Sequence, residues 1–183
     1  VIFAGTAVLA HEQGWLEGTP LSIAPAVRFD FSEFNPDFSE EAMRSRFDAI
    51  DWQCQAQSSN LGHRVCTGRI RSWNGVYVRR GAFFFDGGGR LQAMQLTYRT
   101  FVQEQMADRL ARRYGQAQAL APKTDRFGQP VVSWALGEGV LVLTEEVEPQ
   151  YDGTALWLAR QSLVPEVFKR WLDRLLNAET GAP

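Results

Sequence analysis

The pair Asn74-Gly75 constrains this chain more than any other two residues. Both central positions of a type I′ turn need positive φ, which asparagine and glycine tolerate best. The apolar-rich segments on either side, 65–73 and 76–85, are then expected to pair as an antiparallel hairpin in one register. In that register Trp73 faces Val76, Arg71 faces Val78 and Arg69 faces Arg80.

A second hairpin leads into the first. Trp52, Cys54 and Ala56 alternate with Gln53, Gln55 and Gln57, the period of a half-buried strand. Residues 58–62 read as a polar turn, and the chain returns through 65–73. Cys54 and Cys66 then fall on facing strands, where a disulfide can close. Their spacing matches no zinc ribbon, zinc finger or CxxC site. Two reduced core thiols are the alternative.

The rest of the chain supplies helices between such meanders. Ser39 caps a helix over 40–50 with the stripe Met43, Phe47 and Ile50. The turn Asp86-Gly87-Gly88-Gly89 leads into a strand over 91–98. Thr100 with Gln103 reads as a capping box for a helix that faces Val102, Met106, Leu110 and Tyr114 inward and ends at Gly115. After a polar loop come strands over 131–136, 140–146 and 154–160. Pro165 opens a third helix with the stripe Val164, Val167, Phe168, Trp171, Leu172 and Leu175.

This order predicts an α+β fold: an antiparallel sheet with helices packed on one face. It also suggests two similar α-β-β-β units followed by a C-terminal amphipathic helix. The expected divisions are a terminal segment 1–15, an extended aromatic and acidic arm 16–38, a first α-β unit 39–99, and a second unit with its helix 100–183. The uncharged run 1–10 reads as the tail of a membrane anchor, the end of a signal peptide or a buried strand. The first two readings, with the cysteine pair, point to the bacterial periplasm or envelope, with the domain tethered to the inner membrane or exported.

Charge is segregated along the chain, although the total is only −2. Residues 1–51 carry nine acids against three arginines. Residues 52–128 carry twelve bases against four acids, and 129–159 carry five acids and no base. The near-neutral total argues against a nucleic-acid partner.

Within the basic middle, the hairpin register places Arg69, Arg71 and Arg80 on one face with Trp73. Arginine forks suit carboxylate or phosphate, and an indole can stack on either an arginine or a ligand. These four residues are a candidate site for an anion or a partner. The alternative is that the arginines neutralise the molecule's own acidic segments.

Phe29, Phe31, Phe34 and Phe38 alternate with Asp30, Glu33 and Asp37 in the arm. Such a segment packs across its own domain or across a partner.

Catalytic patterns are sparse. There is no GxSxG elbow, HExxH, P-loop or GxGxxG. His63 stands three residues before Cys66, but in the hairpin it falls by the turn while Cys66 points to the core. Glu145, Glu146 and Asp152 are candidate paired carboxylates with nothing to set them across a cleft. Asp30, Glu33 and Asp37 do not match an EF-hand loop. The sequence therefore assigns no catalytic residue, no cofactor and no metal. The expected function is a non-enzymatic envelope accessory or interaction domain whose partner is a protein in or at the membrane. A small-molecule-binding or inhibitor-type periplasmic protein is the second reading, and a hydrolase of unrecognised type the third.

Overall fold

The computed structural model describes residues 24–59, 61–124, 130–146 and 152–160. The terminal segment 1–15, the first part of the arm and the third helix lie outside the described residues.

The arm enters through a short strand, β1 (Ala26–Val27), and a 3-10 turn over Phe31–Glu33. Helix α1 (Glu40–Arg46) starts where the Ser39 hydroxyl accepts the Ala42 N–H at 3.1 Å. Glu40 and Glu41 lie in its first turn, and Arg44 and Arg46 in its last. Each sign opposes the helix dipole at its own end. The helix is shorter than its apolar stripe, but Met43, Phe47 and Ile50 are all buried.

Then come β2 (Gln53–Ser59), β3 (Gly62–Arg69), β4 (Ser72–Trp73), β5 (Val76–Tyr77), β6 (Arg80–Phe85) and β7 (Leu91–Arg99). A 3-10 turn over Thr100–Val102 precedes α2 (Gln103–Tyr114). Four strands complete the described fold: β8 (Gln118–Thr124), β9 (Pro130–Leu136), β10 (Gly139–Glu146) and β11 (Asp152–Ala159).

The fold is α+β. Eight strands form one antiparallel sheet in the order β2-β3-β6-β7-β11-β10-β9-β8. β1 pairs in parallel with β4, which pairs with β5 in a separate three-stranded sheet. Asn74 and Gly75 take φ values of 47° and 86°, and the Trp73–Val76 and Arg69–Arg80 pairs form as the turn dictates. Cys54 and Cys66 are directly opposed on β2 and β3 and are joined by a disulfide.

Two local expectations need correction. Thr100 does not cap α2: Val102 holds the N-cap position, with no side-chain cap bond. The Gln103 side chain instead accepts a hydrogen bond from the Tyr98 hydroxyl. The segment after Gly115, expected as a polar loop, contributes β8 at the sheet edge. An edge strand tolerates the missing N–H of Pro122, which lies where the β8–β9 register shifts.

The larger apolar core joins Met43 and Phe47 near α1 to Met106 and Leu110 of α2 and to Phe83, Met94, Leu143 and Trp157 of the sheet. Phe83 is a hub: its ring lies 5.5 Å from Phe34, 5.8 Å from Phe47 and 5.4 Å from Trp52. Phe29, Phe31 and Phe34 of the arm are buried in this core, and Phe38 packs on its margin. Their burial takes three of the four rings out of reach of a partner, because the aromatic area is already removed from water within the domain. A smaller cluster, Val65, Ala82, Phe84, Ala93, Leu156 and Leu158, occupies alternate positions on the same strands.

Candidate functional site

Among the described residues, eight arginines meet six carboxylates in ion pairs. Arg79 bonds Asp152 at 2.8 Å, and Arg99 lies 3.5 Å from the same carboxylate. Arg64 and Arg44 both reach Glu40, whose carboxyl is held below its usual range chiefly by the Arg64 hydrogen bond. Asp30, Glu33 and Asp37 face Arg113, Arg46 and Arg90. The acids of the arm thus pair with arginines of the same domain.

Two groups of arginines include members that form no ion pair with a described residue. One is the ribbon of Arg69, Arg71 and Arg80, all exposed, with Arg69 opposite Arg80. Trp73 does not join them. It is 1% exposed, and its indole N–H donates to the Phe29 carbonyl at 3.1 Å. Ile70 and Trp73 are both buried although three residues apart, whereas a regular strand brings every second residue to one face. The break falls where β3 and β6 leave the large sheet and β4 and β5 join the small one.

The other group opens onto a concave surface. A cleft of about 810 Å³ lies between the arm, the end of α1, the tip of the β4–β5 hairpin and the C-terminal half of α2. Five arginines line it: Arg28 from the arm, Arg46 from α1, and Arg109, Arg112 and Arg113 from α2. Its two carboxylates, Asp30 and Glu33, are both engaged. Arg28 and Arg109 have no carboxylate partner among the described residues, and Arg112 reaches Asp108 only at 4.0 Å.

The cleft has a stiff frame built from local signals. Asp30 caps the 3-10 turn by accepting the Ser32 N–H at 2.9 Å, while the Glu33 carboxylate accepts the Asp30 N–H at 3.0 Å. The Tyr114 hydroxyl donates to Asp30 at 2.6 Å and accepts the Phe31 N–H at 2.8 Å. That one group ties the end of α2 to the arm. Arg113 adds a second bond to Asp30. Opposite, the Asn74 amide donates to the Phe29 carbonyl at 2.8 Å, locking the hairpin tip to the arm. Burial opposes ionisation of Asp30, but the bonds from Ser32, Tyr114 and Arg113 outweigh it and hold its pKa at about 2. Burial, followed by the bond to Asp30, raises that of Tyr114.

The frame should therefore weaken in acid. Asp30 titrates below its usual value, so its contribution is complete above about pH 4 and is lost as pH falls toward 2. With solvent screening allowed for, about 1–2 kcal/mol is at stake. Urea unfolding at pH 6, 3 and 2 should show Asp30→Asn less stable at pH 6 and flatter across the acid window than the parent. Equal slopes in both proteins would remove the carboxylate from the frame.

Both cysteine sulfurs are in the disulfide, so His63 has no thiol to activate, and Glu40, which lies beside them, meets no thiolate with which to share a metal. Asp152 is committed to Arg79 and Arg99. The side chains of Glu145 and Glu146 lie outside the described residues. Among the described residues, no helix is long and apolar enough to cross a membrane.

The sequence alone does not point to Arg28, Arg46, Arg109, Arg112 or Arg113. The spacing of Arg109, Arg112 and Arg113 does mark one helix face. What it does not show is that Arg28, 81 residues before Arg109 in the chain, lines the same cleft. Compared with known proteins, the chain matches no family model, no curated protein and no solved structure.

Proposed function

We propose that this chain is a non-catalytic recognition domain, an accessory part of a membrane-associated complex in the cell envelope, and that its arginine cleft receives an acidic segment of a protein partner. The observation that carries the reading is the surplus of guanidinium groups in the cleft. Five arginines face two carboxylates that are already bonded, within a volume typical of ligand sites. The guanidinium groups of Arg28, Arg109 and Arg112 are exposed on the cleft wall, where an incoming carboxylate can reach them, and Arg–carboxylate pairs are bidentate and directional.

The compartment reading is supported by the disulfide, a bond that persists outside reducing cytoplasm. The cleft also suits a small anionic ligand, because its volume falls in the range of small-molecule pockets. Arg69, Arg71 and Arg80 remain a second, exposed basic surface.

We also propose that the fold holds two similar units, expected as α-β-β-β, each of which gives a fourth strand to the large sheet, with both helices on the same face. The strand order supports this: the last strand of each set, β7 and β11, meet at the centre.

The test is binding of a fluorescein-labelled octaglutamate peptide to the full chain, followed by anisotropy. Arg109→Glu/Arg112→Glu should weaken binding about 10- to 100-fold, as loss and reversal of charge-assisted bonds would. Arg69→Ala/Arg71→Ala/Arg80→Ala should leave it unchanged. Binding that follows the second variant and ignores the first would move the site to the ribbon.

A further inference from the structure

Two large apolar side chains stay exposed among the described residues, and they touch each other. Tyr77 is 46% and Phe101 78% exposed, with ring centroids 6.1 Å apart and planes 21° from parallel. Tyr77 belongs to β5, and Phe101 to the 3-10 turn that enters α2. The turn before β5 and the helix after the 3-10 turn also approach each other, since a side chain placed at Gly75 would meet the Arg109 guanidinium at 3.8 Å. Hairpin and helix therefore run side by side, with a bare aromatic platform toward one end and the arginine cleft at the other. Phe101 stands eight positions before Arg109, the first two through the 3-10 turn and the rest along α2, a rise of about 13 Å.

We propose that the partner segment is an extended acidic peptide with two anchors. One is a carboxylate held among Arg28, Arg109 and Arg112. The other is an apolar side chain laid on the Tyr77–Phe101 platform. At about 3.3 Å per residue, the anchors stand about four residues apart in the peptide. This rests on the reading of the cleft given above and adds the pattern that the partner must carry. Charge complementarity argues for an acid, since the cleft's own carboxylates leave its arginines in excess. Exposed rings beside arginines match the side chains that dominate protein–protein binding. A nucleic-acid strand fits less well, because Asp30 and Glu33 stand among the arginines and the whole chain carries −2.

The experiment compares three labelled seven-residue peptides on the full chain: one with Phe four residues before a Glu pair, one with that Phe replaced by Gly, and one with both Glu replaced by Gln. The Phe peptide should bind about tenfold tighter than the Gly peptide, and the Gln peptide should not bind. Tyr77→Ser/Phe101→Ser, both at exposed positions, should erase the Phe advantage and keep binding of the Gly peptide. Arg109→Glu/Arg112→Glu should lose both. If Phe brings no advantage, or the serine variant keeps it, the platform is overturned while the cleft stands. If the arginine variant binds as the parent does, the cleft reading falls as well. No binding by the parent chain would mean that the cleft takes no external acid, and would overturn both. Displacement of the Phe peptide by a single-stranded oligonucleotide at lower concentration than by unlabelled peptide would overturn the peptide partner.

Discussion

Phe31→Ala will cost about 3–5 kcal/mol of folding stability, and the cleft will loosen with it. Phe31 has no exposed surface. Its ring lies 5.4 Å from Phe29 and 5.3 Å from Trp73, so truncation leaves a cavity at the junction of the arm and the hairpin. The same residue's N–H is the donor that Tyr114 holds, next to the Asp30 cap. Loss of the ring should therefore raise the mobility of Arg28 and Arg113 together. Urea unfolding reads the stability, and hydrogen exchange at residues 28–34 reads the loosening. A cost under about 1 kcal/mol would mean that the ring is not held by this domain, as expected of an arm kept free for a partner.

Removing the disulfide comes next in size. Cys54 and Cys66 close a short loop at the edge of the large sheet, with a sequence separation of 12. The chain-entropy model gives about 3 kcal/mol for a loop of this size. Cys54→Ala/Cys66→Ala is the suitable variant, because Cys66 is fully buried and a serine there would bury a hydroxyl. The parent should lose the same stability when dithiothreitol is added, and the variant should not respond. β2 should fray first, since it has one paired neighbour among the described strands. A parent indifferent to reductant would remove both the staple and the argument from it to an oxidising compartment.

What the sequence shows and hides follows the range of the interactions. The hairpin at Asn74-Gly75 is legible because two residues set the backbone there, and the register follows by counting to Arg69–Arg80. The cysteine pair is legible for the same reason. The α2 start is misread at Thr100 because a 3-10 turn intervenes and Tyr98 claims the Gln103 side chain. The meeting of β7 with β11 pairs Leu96 with Ala155, and nothing local near either residue announces it.

The site behaves similarly. Strict alternation places Trp73 beside Arg71, but the change of sheet after Arg69 turns the indole into the core. The cleft needs Arg28, Arg46 and Arg109 from three separate elements, and their convergence is a property of tertiary packing. The frame around Asp30 is half legible: its capping box with Glu33 is local, and its bond to Tyr114 spans 84 residues.

The measurement that tests the cleft most directly is a map of where an acid binds. Octaglutamate titrated into the isotope-labelled chain should shift the amide signals of Arg28, Asn74, Gly75, Arg109 and Arg112 most, and added salt should reverse the shifts. Shifts centred on Arg69, Arg71 and Arg80, or none at all, would contradict the assignment of the cleft as the recognition site.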